Sequence, residues 1–272
     1  MISIQTNETA IWSELVHQLC GIKIDHSRAY LYETRLFQLF RETGTSSFEE
    51  LYSKVKHNKC GTLQKKVVDL ITTGETSFFR DLGIFELLKS RILPELKATS
   101  RPLKIWSTAC STGQEAYSIA IALCEYCGSR FFSKTKILAT DISESAIFRA
   151  SKGIYNQFEI NRGLSSERLS SWFLPHCDYW KVRDKIRQIV SFRKMNLTGA
   201  ISFNKKFDLV FCRNVAIYFS EEDKKNLFQK IAKVISPGGI LVLGSTESLL
   251  GLSADSFEPV RAYPKGIYYR RL

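Results

Sequence analysis

The chain has 272 residues and a formal net charge of +12, with 44% apolar and 24% charged side chains. This composition is typical of a globular protein with a sizeable core, and no unbroken apolar run reaches the length that spans a membrane. The first residues lack a basic stretch followed by an apolar one, so we expect no secretory signal, no membrane insertion and a cytoplasmic location.

Residues 10–71 are predicted to form small amphipathic helices, because apolar residues recur there at helical spacing in four groups. Gly21 and Gly44 lie where helices would end. We therefore assign residues 1–72 to an N-terminal helical domain and residues 73–272 to a second domain. The four predicted apolar faces are Ile11, Leu15 and Leu19; Tyr32, Leu36, Leu39 and Phe40; Phe48, Leu51, Tyr52 and Val55; and Val67, Val68 and Ile71.

Residues 70–81 connect these helices to the rest of the chain. They combine a polar turn with two phenylalanines, an arginine and an aspartate. The plain interpretation is an interdomain connector. Arg80 nevertheless lies shortly before the next strand in sequence and could reach a site at the end of that strand.

Residues 103–123 are predicted to form a strand, a turn of small residues and a helix. Leu103, Ile105 and Trp106 form the apolar strand, and helical spacing begins at Ala116. Small residues let a ligand approach the backbone, and the first amides of a helix are unpaired donors, so this geometry suits an anionic or polar cofactor group. Because the turn has one glycine and no G-x-G-x-x-G pattern, a plain connection remains an equal alternative.

Seven cysteines, an odd number at irregular spacing, are typical of reduced thiols. Cys124 and Cys127 form a C-x-x-C pattern without a second pair and without a nearby histidine at metal spacing. We therefore expect packing near a helix end rather than a metal site.

A second apolar strand, residues 136–142, includes an acidic residue near its end, Asp141. In doubly wound sheets an acid at this position commonly accepts hydrogen bonds from ribose hydroxyls, so Asp141 is a predicted ligand of a nucleoside cofactor. Its separation from Gly113 is longer than in dinucleotide-binding proteins, which favours another adenosine cofactor. The alternative is that Asp141 caps the helix that begins near Ser143.

Residues 152–195 break the alternation of strands and helices. A helix is predicted over residues 164–173, and strand-like alternation over residues 179–182 and 186–192 indicates a small antiparallel sheet. We assign this inserted β subdomain to residues 158–195. The excess of basic side chains lies in the second half of the chain, with nine basic and four acidic side chains in residues 152–195 and eleven and seven in residues 196–272. Such a positive field favours an acidic partner, either a nucleic acid or an acidic protein surface.

The alternation resumes at residues 207–212, an apolar strand that is followed by Asn214 and Tyr218. Ligands of open α/β sheets bind beyond the carboxyl ends of the strands, so these two side chains lie where chemistry would occur. Strands at residues 240–243 and 266–270 complete the pattern. The predicted fold class is therefore α/β.

Five stretches, taken together and in order, resemble the CheR-type chemotaxis receptor methyltransferases. The N-terminal helices are similar too, so the likeness spans nearly the whole chain, and the ordered set is far more specific than any single motif. The stretches are TTGETSFFRD, IWSTACSTGQEAYSIAI, ATDIS, FDLVFCRNVAIYF and SPGGILVLGSTESL.

This resemblance implies a class I S-adenosylmethionine-dependent methyltransferase fold. Such a fold is Rossmann-like, with a mostly parallel sheet and one antiparallel edge pairing, here preceded by a small all-α domain and carrying a small antiparallel β subdomain. The implied reaction transfers a methyl group from S-adenosylmethionine to glutamate side chains on the cytoplasmic helices of chemoreceptors, with S-adenosylhomocysteine as product. We expect a monomer that binds neither nucleic acid nor metal.

The resemblance also implies which residues form the site. Arg80 and Tyr218 match the positions that lie close to the transferred methyl group. Glu115 has a competing structural role, because Thr112 and Glu115 also fit a capping box. The implied cofactor-binding residues are Gly74, Thr76, Arg80, Glu115, Asp141, Asn196, Leu197, Asn214 and Val215.

Two departures from the family pattern have consequences. The family usually has asparagine where this chain has Gly74, so a side-chain contact with the cofactor would be missing or replaced by a backbone contact. The excursion between Phe173 and Val182 is shorter than in relatives that dock onto a receptor tail peptide. We therefore expect no tail-peptide docking.

Methyl transfer to a glutamate needs no general base, because the carboxylate is already ionised at neutral pH. Alignment of the nucleophile with the methyl group can lower the barrier by roughly 7 to 11 kcal/mol. We expect Phe78, Phe79 and Ile217 to exclude water, and Arg80 and Tyr218 to orient the carboxylate or the cofactor.

Two other functions are compatible with parts of the sequence. The charge would permit a nucleic-acid methyltransferase, but amino-methylating enzymes of that class usually carry an Asp/Asn-Pro-Pro-aromatic loop, and residues 213–218 contain no proline. The second alternative is a non-catalytic module that binds the cofactor or a receptor. The presence of Arg80, Asp141, Asn214 and Tyr218 argues against it.

Overall fold

Five helices at the start of the chain form a layer of their own. Their bounds are Thr6–Cys20 (α1), Tyr30–Arg35 (α2), Phe37–Thr43 (α3), Phe48–Lys56 (α4) and Thr62–Ile71 (α5). The computed structural model of the protein describes residues 3–97, 102–127, 132, 134–252, 255–262 and 266–272.

The N-terminal helices enclose a separate apolar core around Trp12, which is 1% exposed. The buried face of α1 is centred one residue beyond the predicted one, on Trp12, Val16 and Cys20. Of the predicted residues, Leu15 and Leu19 are partly buried against this core, whereas Ile11 is 44% exposed. The indole has the larger apolar area to bury, and its N–H finds a partner inside, the backbone carbonyl of Phe48 at 3.3 Å. The other three predicted faces point into this core.

Strands make up the centre of the remaining chain. Within the described residues their bounds are Lys104–Thr108 (β1), Lys136–Asp141 (β2), Ile154–Asn156 (β3), Phe173–His176 (β4), Tyr179–Val182 (β5), Val190–Lys194 (β6), Phe207–Cys212 (β7), Ile235–Leu243 (β8), Phe257–Ala262 (β9) and Gly266–Arg271 (β10).

Seven of these strands form one sheet in the order β6-β2-β1-β7-β8-β10-β9. The pairs on either side of β1, β2 and β7 are parallel, whereas β10 runs antiparallel to both of its neighbours. The expected mostly parallel sheet with an antiparallel edge is confirmed. Because the chain moves outward from β1 to β6 on one side and from β7 on the other, the sheet has a switch point between β1 and β7, where such folds bind ligands.

Helices cover the faces of this sheet. The helix Gln114–Cys127 is rich in alanine and isoleucine and is buried over most of its length. No helix within the described ranges is both long and apolar enough to cross a membrane. The bounds after the N-terminal layer are Leu82–Leu87 (α6), Leu93–Lys97 (α7), Gln114–Cys127 (α8), Glu144–Lys152 (α9), Gln157–Asn161 (α10), Ser166–Trp172 (α11), Asp184–Arg187 (α12) and Glu221–Val234 (α13), with a π-helical turn at Leu88–Ile92.

The small antiparallel sheet consists of β3, β5 and β4, in that spatial order. The predicted pairing of residues 179–182 with 186–192 is wrong. β5 pairs with β3 and β4, α12 follows it, and β6 joins the main sheet parallel to β2. An edge strand with one covered face alternates apolar and polar residues in either sheet, so the alternation at Val190–Lys194 does not distinguish the two partners. β3 also begins ahead of residue 158, the predicted start of this subdomain.

Candidate active site

A cavity of about 300 Å³ lies at the carboxyl ends of β1, β2 and β7, next to the N-terminal helices. Residues from separate parts of the sequence meet there because the parallel strands end at the same edge of the sheet. The predicted site residues all line this cavity: Gly74, Thr76, Arg80, Glu115, Asp141, Asn196, Leu197, Asn214, Val215 and Tyr218.

The turn after β1 packs closely against its surroundings. Ala109 and Ser111 have left-handed backbones with φ of 49° and 50°, and Gly113 has φ of 95°. A Cβ atom at Gly113 would lie 2.9 Å from the Cβ of Ala150 in α9, so this position requires glycine. The small residues of the turn therefore serve its packing as well as access to the cavity.

Asp141 holds the turn after β1 and the start of α9 together. Its Oδ2 accepts the backbone N–H of Ser111 at 2.7 Å, and its Oδ1 accepts that of Ser143 at 2.9 Å. Burial raises the pKa of the Asp141 carboxyl, although these backbone bonds oppose the shift. The helix-cap alternative is wrong, since the N-cap of α9 is Ser143, whose hydroxyl accepts the N–H of Ala146.

Two thiols line the cavity. Burial raises the pKa of Cys20 to about 11. Burial, with a smaller effect from the carboxylates of Asp141 and Glu115, raises the pKa of Cys110 well above its usual range. Both side chains are therefore neutral thiols at physiological pH.

Glu115 belongs to a buried charge network centred on Arg213, whose side chain is 1% exposed. The Arg213 guanidinium donates to Glu115 at 2.9 Å, to Asp81 at 2.7 Å and to the carbonyl of Arg80 at 2.9 Å. The second oxygen of Glu115 accepts from the hydroxyl of Ser107 at 2.7 Å. The Glu115 carboxylate is therefore directed at β1 and β7 rather than back at Thr112, as a capping box would require.

The connector before α6 reaches the cavity mainly through its backbone. The carbonyl of Gly74 accepts from the hydroxyl of Ser111 at 2.8 Å, and a Cβ at this glycine would lie 3.4 Å from that hydroxyl. Arg80 is half-buried and donates from Nη1 to the carbonyl of Glu75 at 3.2 Å. One bond leaves further guanidinium donors for a ligand.

The three apolar side chains expected to keep the cavity dry are placed elsewhere. Phe78 packs edge-on against Phe173, and Phe79 packs against Phe85, so both anchor the connector in the core. Ile217 is 48% exposed. None of these three side chains borders the cavity. The two phenylalanine rings are buried in the core instead, where their large apolar areas are removed from water.

The loop after β7 brings Asn214, Val215 and Tyr218 to the cavity. Asn214 has a left-handed backbone with φ of 55°, and Ala216–Tyr218 form a single 3₁₀ turn. Tyr218 is half-buried, and its carbonyl accepts the N–H of Lys23 at 3.2 Å. The Glu247 carboxylate lies against the backbone of this loop.

The side-chain amide of Asn196 already bonds to other residues of the protein. Its Nδ2 donates to the carbonyl of Leu19 at 2.9 Å, and its Oδ1 accepts from the N–H and the hydroxyl of Thr198. A cofactor contact at this position would therefore come from the backbone. Leu197 is buried and supplies an apolar patch of the lining.

The end of α1 closes one side of the cavity. Gly21 ends the helix with φ of 76°, and a Cβ there would lie 2.4 Å from Cγ2 of Thr198. His17 pairs with Asp223 of α13 at 2.8 Å. The N-terminal layer is thus joined to the two loops that carry Asn196 and Tyr218.

Sequence reasoning missed two residues of this site, Arg213 and Glu247. Glu247 follows the carboxyl end of β8, so the strand-end rule that identified Asp141 applies to it as well. Arg213 directly follows the fully buried strand β7, and a charged residue at the end of such a run must find buried partners.

The strand order and the cavity define a class I S-adenosylmethionine-dependent methyltransferase. The donor set fits this cofactor, since Asp141 at the end of β2 borders the cavity and suits ribose hydroxyls. Among the described residues, no cluster of His, Cys, Asp or Glu side chains could hold a metal ion.

Comparisons with known proteins define the family. Residues 7–72 match the CheR methyltransferase all-alpha domain, and residues 74–264 match the CheR methyltransferase SAM binding domain. The chain therefore belongs to the CheR methyltransferase family, as the sequence resemblance predicted.

Curated relatives extend over nearly the whole chain. A chemotaxis protein methyltransferase of Vibrio parahaemolyticus is 40% identical over 99% of this chain and 98% of its own length. Chemotaxis protein methyltransferase 1 of Pseudomonas aeruginosa is 41% identical, with 94% of each chain covered.

Proposed function

We propose that this protein transfers the methyl group of S-adenosylmethionine to glutamate side chains in the cytoplasmic helices of methyl-accepting chemoreceptors. The observation that carries the proposal is the convergence of Arg80 and Tyr218 with Asp141 and Glu115 on one cavity. The relatives are named chemotaxis protein methyltransferases, which supports a chemotaxis protein as the acceptor.

Side chains and backbone would share the task of holding the cofactor. The carboxylate of Asp141 would accept ribose hydroxyls. Glu115 would contact the ligand where its ion-paired side chain borders the cavity. Asn196 would offer its backbone, because its amide is already engaged with Leu19 and Thr198. The remaining proposed contacts with the cofactor come from Gly74, Thr76, Leu197, Asn214 and Val215.

The chain's own residues would act by orientation and exclusion of water. When bound, S-adenosylmethionine supplies an electrophilic methyl group. A glutamate carboxylate is an anion at neutral pH, so it can accept that group without a general base. No histidine among the described residues lines the cavity, and the chemistry requires none.

Arg80 and Tyr218 are proposed to align the acceptor carboxylate. A bidentate pair between Arg80 and the acceptor would stabilise ground state and transition state alike and would not raise the rate. We therefore assign Arg80 to a bridge between acceptor and cofactor, and the Tyr218 hydroxyl to a second donor. Both side chains are half-buried and border the cavity.

The decisive experiment incubates the protein with radiolabelled S-adenosylmethionine and receptor cytoplasmic fragments, with RNA and DNA as parallel acceptors. We expect base-labile methyl ester on the receptor fragment alone. Label in nucleic acid would establish the alternative methyltransferase. Tight cofactor binding with no ester on any glutamate-bearing receptor would establish a non-catalytic module instead.

Variants test the two proposed catalytic residues. Arg80→Ala and Tyr218→Phe should each lower turnover about tenfold or more while affinity for S-adenosylhomocysteine changes less, because lost hydrogen bonds to a charged acceptor cost about 1.5 to 3 kcal/mol. Arg261→Ala, on the exposed part of β9, and Tyr30→Phe, at the exposed start of α2, are matched controls that should retain turnover. Normal turnover in Arg80→Ala would refute the proposed role of Arg80 as a bridge between acceptor and cofactor.

Recognition of the receptor is proposed to be electrostatic and independent of a tail peptide. The basic excess in the second half of the chain, residues 152–272, would attract an acidic helical bundle, so methylation should weaken as salt rises. Receptor fragments with and without a C-terminal tail should be methylated at equal rates. Light scattering should give the mass of a monomer.

A further inference from the structure

Glu247 accepts four backbone hydrogen bonds behind the loop that follows β7. Its Oε2 accepts the N–H of Asn214 at 2.6 Å and that of Gly244 at 3.0 Å. Its Oε1 accepts the N–H of Val215 at 3.2 Å and that of Ala216 at 3.0 Å. One carboxylate thus satisfies three consecutive amides of the loop, and bonds to an ionised acceptor are stronger than neutral ones.

The loop needs such a partner because its backbone departs from regular structure. Asn214 has φ of 55°, which is unfavourable for a residue other than glycine, and its neighbours leave the ladder of β7 before the 3₁₀ turn begins. Backbone N–H groups that leave a sheet must be paired elsewhere. Glu247 supplies that pairing from a segment 33 residues further along the chain.

We infer that Glu247 is a positioning residue for methyl transfer. It does not line the cavity, but the backbone it holds carries Asn214 and Val215 to the cofactor side and leads directly into Tyr218. The inference rests on the proposed function, because it assigns Glu247 a role in that reaction.

The primary test replaces the carboxylate by an amide in Glu247→Gln. Glutamine offers one oxygen, so its NH₂ group would face two backbone N–H donors. The matched control is Asp208→Asn, in which the buried Oδ2 accepts the N–H of Lys104 at 2.8 Å at the opposite end of the strands. Both variants exchange a carboxylate for an amide beside a backbone donor, and only the first lies next to the site.

Steady-state kinetics and calorimetry give the expected outcome. Glu247→Gln should lower kcat about tenfold at saturating substrates and raise both the KM for S-adenosylmethionine and the Kd for S-adenosylhomocysteine about tenfold. Its KM for the receptor fragment should stay within about twofold of the wild-type value. Asp208→Asn should retain all four constants, even where its melting temperature falls by the same amount.

A second variant, Gly244→Ala, retains the Glu247 carboxylate but should shift its position. A Cβ at Gly244 would lie 2.7 Å from Oε2 of Glu247 and 2.9 Å from Nδ2 of Asn214. Gly244→Ala should therefore displace the carboxylate from the loop and produce a smaller loss of the same kind. If Glu247→Gln does not fold, Gly244→Ala decides the question by hydrogen exchange, because the new methyl group also meets the Asn214 amide and its kinetic loss alone would not identify Glu247. Hydrogen exchange at the amides of Val215 and Ala216 should accelerate in both variants.

The outcomes separate this inference from the proposed function. A wild-type protein that methylates no receptor fragment refutes the function, while binding of S-adenosylhomocysteine to the variants still tests Glu247. A methylating wild type whose Glu247→Gln and Gly244→Ala variants keep wild-type constants overturns the inference. Equal kinetic losses in Glu247→Gln and Asp208→Asn overturn it as well, since they would reflect stability alone.

Discussion

The turn after β1 and the loop after β7 border the same cavity but are held in different ways. The turn is held mainly by the adjacent strand β2, because Asp141 accepts the N–H of Ser111 and the carbonyl of Thr140 accepts that of Cys110 at 2.9 Å. Side-chain hydrogen bonds to Gly74 and Tyr155 add to these backbone bonds. The loop is fixed by groups from four separate segments of the chain: Lys23, Asp81, Glu115 and Glu247.

This difference shows how the two sides of the site depend on the rest of the molecule. The turn after β1 receives its backbone hydrogen bonds mainly from the neighbouring strand. The other side depends on charged and backbone groups that come together only when the whole chain is folded. Substitutions that reach the loop after β7 should therefore have larger effects than those at the turn after β1.

Arg213→Ala should give the largest effect, because it leaves the carboxylates of Asp81 and Glu115 without their shared cation. Removing one partner of a buried ion pair costs about 3 to 5 kcal/mol. The free energy of unfolding from urea denaturation measures this loss. Lys66→Ala, which removes a cation from an exposed pair with Glu42, should cost less than about 1 kcal/mol. Equal losses in the two variants would contradict the special role of the loop.

Gly21→Ala should rank second, because the new methyl group would meet Thr198 and the ring of Phe219. We expect a loss of about 1 to 3 kcal/mol from strain and crowding together. Gly44→Ala is the matched control, since Gly44 has a similar φ of 63° and a Cβ added there would meet no atom within 4 Å. Thermal denaturation should show a larger loss of stability for Gly21→Ala than for Gly44→Ala. Similar losses would mean that Thr198 and Phe219 can shift to accommodate the methyl group at little cost.

Asp141→Asn tests the turn after β1 through the pH dependence of the protein's folding stability. A raised pKa means that the folded state holds the Asp141 proton more readily than the unfolded state. This contribution favours folding below the ordinary carboxyl pKa and is lost as pH rises through the raised value. The stability of Asp141→Asn relative to wild type should therefore increase as pH rises across the acidic range. A constant difference between pH about 3 and about 7 would contradict this cause.

Asp223→Asn should have the smallest effect. The hydrogen bond from His17, followed by that from Ser220, lowers the pKa of Asp223, so its contribution is present above the ordinary carboxyl pKa and is lost as pH falls through the lowered value. The side chains of His17 and Asp223 are 42% and 26% exposed, and solvent screening should keep the loss below about 1 kcal/mol. A melting-temperature difference that persists at acidic pH would exclude this pair as its source.

The sequence was sufficient for features that depend on local pattern. The apolar runs of β1, β2 and β7 and the residues that follow them placed Asp141 and Tyr218 at the correct edge of the sheet. The pairing of β6 was not predictable, because an alternating edge strand fits either sheet. Arg213 and Glu115 were not recognised as partners, since 98 residues separate them and only the folded sheet brings them together. The division of the chain at residue 72 stays a prediction.

The two protonated sulfur atoms beside the cavity, at Cys20 and Cys110, have a consequence for the competition between nucleophiles at the site. A thiolate is a strong nucleophile, whereas a neutral thiol is a weak one. Burial keeps both groups neutral. Both sulfur atoms that border the cavity are therefore weak nucleophiles, so we expect them to compete poorly with an ionised acceptor for an activated methyl group.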